Sequence, residues 1–198
     1  MKKRKLVLLL ALVLTLAFAL PVSAAKLTKQ QKAVKTVVVS MLKNCKNYNA
    51  AKIRSYFVYP SKIKVFYEKV YSAKFMKKLN KKHFEYEIGK ISVSGSTAKV
   101  TVTISYASLW NMYTDVFNDI VIYMLSHPNA SSLMSDKYTY KRMLYYYSYF
   151  DAGDYEYDEK ITLSLKKVNG KWKISSMPAK LLNAIHGDYA AAYNDYFN

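Results

Sequence analysis

The sequence predicts an α+β domain: helices first, then antiparallel hairpins divided by a helical insertion, then a closing helix. Three observations predict it. Apolar residues recur at helical spacing from Val34 to Cys45, the apolar period changes from 3.6 to 2 near His83, and Asn169-Gly170 separates two alternating runs close to the end.

The chain opens on a leader rather than on the domain. Lys2-Lys3-Arg4-Lys5 forms a positive n-region and Leu6–Leu20 an apolar run interrupted only by Thr15. Pro21 and Val22-Ser23-Ala24 supply the break and small residues that signal peptidase needs. Cleavage is expected after Ala24, with Ala25 as the alternative, so residues 1–25 read as a signal peptide and 26–198 as one domain. A run of fifteen residues, fourteen of them apolar, falls short of the roughly 20 that span a bilayer. No Cys follows the run to carry a lipid anchor, and no later segment is apolar enough to cross. Cys45, the only cysteine, cannot form an internal disulfide, so the exported domain must hold by packing. That suits a Gram-positive envelope, with the product secreted or wall-associated. Cys45 falls on an apolar helix face, as a small hydrophobe does.

Val34, Val37, Val38, Met41, Leu42 and Cys45 predict a first helix from Thr28 to Asn44. Asn49 caps a short helix, and Pro60-Ser61 starts another to Lys82, with Ile63, Phe66, Tyr67, Val70, Phe75 and Leu79 inward. A strand begins at His83. Its apolar parity shifts from Phe84, Tyr86 and Ile88 to Ile91 and Val93, which predicts a bulge at Gly89. Ala98 to Tyr106 alternate strictly and complete a hairpin. Helices follow at Leu109–Ser126, burying Trp110, Tyr113, Phe117, Ile120, Val121 and Met124, and at Ser132–Phe150. Strands return at Tyr155–Val168 and Lys171–Ser175. A two-residue Asn-Gly loop sets Leu165 opposite Ile174 and Lys167 opposite Trp172. A last helix runs from Ala179 to Tyr196.

Charge is distributed unevenly. Lys26 to Lys82 contains sixteen Lys or Arg and one acid, Glu68; His83 to Asn198 contains eleven bases and twelve acids. Such asymmetry suggests a basic face turned to an anionic partner, with Lys29, Lys32, Lys35, Lys43, Lys77, Lys78, Lys81 and Lys82 as candidates. The competing reading is a solvated surface, or pairing with the acidic run Asp151–Glu159. Specific nucleic-acid recognition is not expected, because only Arg4, Arg54 and Arg142 offer bidentate guanidinium contacts.

No metal or cofactor is expected. His83, His127 and His186 are scattered, and "DYEYDE" lacks the glycine of a calcium loop. No nucleophile elbow or phosphate loop occurs. Among carboxylates, Glu159 shares strand parity with Tyr157, Ile161 and Leu163. If it pointed inward, desolvation would make it a candidate general base beside Tyr157. On the tyrosine-rich helix, Tyr140, Met143, Leu144, Tyr147 and Phe150 form the inward stripe. Tyr138, Tyr145 and Tyr149 lie on its flank and, with Trp172, are candidate ligand-binding aromatics.

The order "KNYNAAKIRSYF", "STAKVTVTISY", "ITLSLKKVNGKWKIS" and "LLNAIHGDY" resembles the nuclear transport factor 2-like superfamily, especially uncharacterised exported and lipoprotein members from Firmicutes. The resemblance implies a cone of curved antiparallel sheet wrapped around the N-terminal helices. It carries no catalytic residues over to this chain. Three expectations stay open: a non-enzymatic envelope domain binding an anionic polymer or a protein partner, an enzyme using a cone pocket, and a structural homodimer.

Overall fold

The computed structural model describes residues 26–63, 70–149 and 156–197. Residues 1–25, expected to be a leader, lie outside them with Phe66, Tyr67, Glu68, Phe150, Asp151, Asp154 and Tyr155, as do the side chain of Val70 and any pairing with residues 151–154.

Helix α1 (Lys29–Lys46) starts at a reciprocal cap. Thr28 Oγ1 accepts from the Gln31 amide at 3.2 Å, and Gln31 Oε1 accepts from the Thr28 amide at 2.9 Å. The free amide of Gln31 donates to Ile91 O and ties the helix to the sheet. Its stripe of Val34, Val38, Met41, Leu42 and Cys45 is buried. Each such aliphatic side chain contributes roughly 1.5–3 kcal/mol of burial. Asn49 caps α2 (Ala50–Ser55) through Lys52 N.

The single helix expected from Pro60 to Lys82 is interrupted. Pro60–Lys62 is one 3₁₀ turn, and Ile63 is extended and buried. Helix α3 is described from Val70 to His83, with Phe75, Met76 and Leu79 inward. His83 ends this helix instead of starting a strand: Phe84 N still donates to Asn80 O at 3.0 Å, and β-pairing begins at Glu85.

Strands β1 (Glu85–Ser94), β2 (Thr97–Ala107), β3 (Glu156–Val168) and β4 (Lys171–Ile174) form one open antiparallel sheet in sequence order. The bulge falls where the parity shift predicts it: Ile88 faces Val102 and Ile91 faces Val100, so Gly89 and Lys90 oppose Thr101 alone. Leu165 faces Ile174 and Lys167 faces Trp172, as expected. Positive φ at both Asn169 and Gly170 gives the turn the twist that two-residue hairpins favour. Val100, Val102, Ile104, Leu163, Leu165, Trp172 and Ile174 point to the helices, while Thr101, Thr103, Thr162 and Ser164 point away. The β4 edge is covered: Val58 N donates to Ile174 O, and Ile174 N donates to Tyr56 O, both at 2.9 Å.

Between β2 and β3 stand α4 (Trp110–Ser126) and α5 (Ser132–Ser148). Helix α4 buries Met112, Tyr113, Val116 and Phe117, but Trp110, Val121 and Met124, expected inside, are exposed. The expected last helix is two: α6 (Ala179–His186) and α7 (Tyr189–Phe197). Gly187 (φ 54°) and Asp188 (φ 63°) turn left-handed between them, and Leu109 N donates to Gly187 O at 3.0 Å. The α+β class and the order of helices and hairpins are those the sequence predicts. Among the described residues no helix is long and apolar enough to cross a membrane.

Candidate anionic interface and aromatic rim

Burying the valine stripe of α1 leaves Lys29, Lys32, Lys35 and Lys43 exposed on its opposite side. Lys32, Lys35 and Lys43 line a shallow groove of about 390 Å³ with Thr36, Val39 and Ser40. Among the described residues none of these four lysines is in an ion pair, whereas Lys46, one turn beyond Lys43, is paired with Glu85. On α3, Lys77, Lys78, Lys81 and Lys82 are exposed. Lys78 and Lys82 lie over the Tyr147 ring, 5.5 and 5.9 Å from its centroid. Lys43, Lys81 and Lys82 also sit near helix C-termini, where cations are favoured by the backbone dipole. No acid occurs among positions 26–63 and 70–82. Lysine-rich helices with few acids near them attract polyanions by long-range, salt-screened forces.

The four predicted aromatic ligands do not form one site. Trp172 is only 7% exposed, and Lys167 covers its indole at 5.1 Å, so it serves the core. Tyr138 stacks on Tyr123 at 4.1 Å, which in turn stacks on His127. Tyr145 and Tyr149 are exposed and meet edge to face at 5.2 Å. The Arg142 guanidinium lies 4.6 Å over the Tyr145 ring while binding the Asp119 carboxylate.

Glu159 is half-buried on the inner side of β3, and Lys180 Nζ donates to it at 2.6 Å. Tyr157 is exposed and tilts against Tyr106. Burial, and then the neighbouring Asp188 carboxylate, push the Tyr106 phenol well up; its hydroxyl donates to Asp188 at 3.2 Å. Tyr157 and Asp188 line a cleft of about 380 Å³ with Trp110 and Asn111, and Glu159 is not among its walls.

Three polar groups were not singled out from sequence. His83 is buried, with Nδ1 3.4 Å from Glu156 Oε1 and Nε2 2.8 Å from the Tyr147 hydroxyl. Burial lowers its pKa, against the opposing pull of Glu156. Asp136 is buried and accepts from the Ser72 amide and hydroxyl in the first turn of α3. Asn80 donates to Cys45 O and Ile185 O, at 3.1 and 2.9 Å, fastening α1 and α6 to α3. Each lies among other polar residues in sequence, and only the fold marks it out by burying it and supplying its partner. Cys45 itself is buried, and that burial pushes its thiol pKa far up, which excludes a reactive thiolate. Among the described residues no group of three or more His, Cys, Asp or Glu is arranged to hold a metal ion.

No protein-family model matches the chain, and no curated protein matches it. Among solved structures, similarity is found to a candidate lipoprotein, YcdA, from Bacillus subtilis: 15% identity over 76% of this chain, with a TM-score of 0.36. The chain spans 46% of that protein's length, a likeness too slight to assign a family.

Proposed function

We propose that the chain is an exported, non-enzymatic binding domain of the bacterial cell envelope that contacts an anionic polymer through lysines of α1 and α3. The carrying observation is the groove of Lys32, Lys35 and Lys43, exposed and without ion pairs among the described residues. The leader at residues 1–25 supports export. The order of helices, bulged hairpin, helical insertion and Asn-Gly hairpin supports placing the chain in the nuclear transport factor 2-like superfamily. An experimental structure whose sheet does not curve around α1 would count against that placement.

The test is retention on purified cell walls and on lipoteichoic acid as salt rises. Affinity is expected to fall about tenfold or more between about 50 and 500 mM salt, because the contact is electrostatic. Changing Lys32, Lys35 and Lys43 together to Gln should lower retention at low salt without changing the melting temperature. Retention that is flat across salt, or unchanged in the triple variant, would remove the proposal. Catalysis with Glu159 as base beside Tyr157 has less support, since Lys180 already holds that carboxylate at the rim.

A further inference from the structure

Among the described residues, the far end of the α4–α5 hairpin carries a group of exposed large apolar side chains. Leu125 is 79% exposed, Ile122 63% and Met134 55%, and Val121 and Met124 are exposed beside them. Scattered exposed leucines need no explanation, but contiguous large apolar side chains on two adjoining helices do.

Three features of this end point to what covers it. First, the sixteen residues from 120 to 135 contain no Asp, Glu, Lys or Arg. Second, several polar groups of the tip are bonded locally, although the side chain of Asn129 is exposed. Ser126 Oγ donates to Ile122 O at 2.9 Å, His127 Nδ1 to Tyr123 O at 3.1 Å, and Met134 N to Ser131 Oγ at 3.2 Å. Ser135 Oγ donates to Met124 Sδ. Such local bonds, common on exposed helices as well, lower the cost of taking these groups out of water. Third, the borders match a lipid interface. Tyr123 and Tyr138 stack at the margin of the patch, and exposed Lys137 and Lys141 follow Met134 on its helix face. Those lysines lie about 4.5 and 10 Å along the axis from Met134, and Asn118 lies about 10 Å behind Leu125. Interfacial helices bury their apolar face about 5–10 Å deep.

We propose that this hairpin end is a membrane-interface anchor: its apolar side chains enter the headgroup and upper acyl region of a phospholipid bilayer, with Tyr123 and Tyr138 at the boundary and Lys137 and Lys141 on lipid phosphates. The segment dips into one leaflet and does not cross it. A second copy fits less well, since five partly exposed side chains at a narrow tip offer well under the roughly 800 Å² per partner of a stable interface. The anchor is independent of the lysine groove on α1.

The test uses the chain from Lys26, which carries every described helix and strand, with vesicles of phosphatidylcholine and about one third phosphatidylglycerol. Wild type should co-sediment with the vesicles and remain bound at about 1 M salt, where surface charge is screened. Ile122→Asp with Leu125→Asp should lower the partition coefficient about 100-fold at an unchanged melting temperature, two exposed sites having been altered. Leu125→Cys carrying an environment-sensitive fluorophore should shift to the blue on vesicle addition; buried Cys45 does not compete for the label. No co-sedimentation, equal binding by the double variant, loss of binding at high salt, or an unshifted label would each overturn the anchor. So would a dimer seen by light scattering that the double variant abolishes while vesicles stay unbound.

Discussion

The hydroxyl of Tyr48 donates to Nε2 of His186 at 3.0 Å, and the two rings meet edge to face across 138 positions of sequence. The tautomer follows from the other nitrogen: Nδ1–H donates to Leu182 O at 2.8 Å, which leaves Nε2 to accept. The pair joins the turn after α1 to the end of α6, both fully inside. Tyr48→Phe keeps the ring and removes the donor, so it should cost about 1–3 kcal/mol in urea unfolding. A change below a few tenths would show that Nε2 is satisfied without Tyr48.

Gly187 is held at φ 54°, and a Cβ there would meet Ala107 O at 2.9 Å. Gly95 has φ 56° but open space around it. Gly95→Ala should therefore cost about 1–2 kcal/mol, the left-handed penalty alone. Gly187→Ala should cost more, because backbone cannot yield as a flexible side chain does. Equal losses in melting experiments would refute the clash.

His83 predicts a pH dependence. Burial holds its pKa below the ordinary 6.5, so the folded chain binds fewer protons than the unfolded chain under mildly acidic conditions. Its contribution is complete above pH 6.5 and is lost as pH falls below 6.5 toward the lower folded value. His83→Gln should flatten the slope of unfolding free energy in that window. An unchanged slope would assign the dependence to carboxylates instead.

Asp136 joins α5 to the first turn of α3 through Ser72. Asp136→Ala removes a buried acceptor of two hydrogen bonds, leaving the Ser72 donors unpaired, and should cost about 1–3 kcal/mol. Ser72→Ala, which leaves the backbone amide bond in place, should cost less. The opposite order, read from denaturant midpoints, would contradict the geometry.

Much of the sheet was legible because its signals are local. Strict alternation from Ala98 to Tyr106, the parity shift at Gly89 and Asn169-Gly170 each act within a few residues, so pairing register could be read directly. The helix breaks were not. Gly187 stops a helix that periodicity continues to Tyr196, because the turn docks on Leu109 and Ala107, far away in sequence. Ile63 likewise leaves the helical pattern to enter the core. Val121 and Met124 have the spacing of buried residues, but spacing cannot reveal that the fold leaves them partly exposed. The lysines of α1 were readable as an exposed face. The grouping of Tyr138 with Tyr145 and Tyr149 was not, since Tyr138 belongs with Tyr123 and His127.

The strand pairing also sets an order of assembly. The β1–β2 and β3–β4 turns each span two residues, whereas the central β2–β3 pair, from Ala107 opposite Glu156, closes over the 48 residues from 108 to 155. Chain-closure entropy makes that central contact about 3 kcal/mol harder to nucleate than either outer hairpin. The two hairpins therefore form early and locally, and the zipping of one to the other waits on the helices between them. Folding rate should accordingly respond to substitutions in α4 and α5 that leave every strand residue untouched.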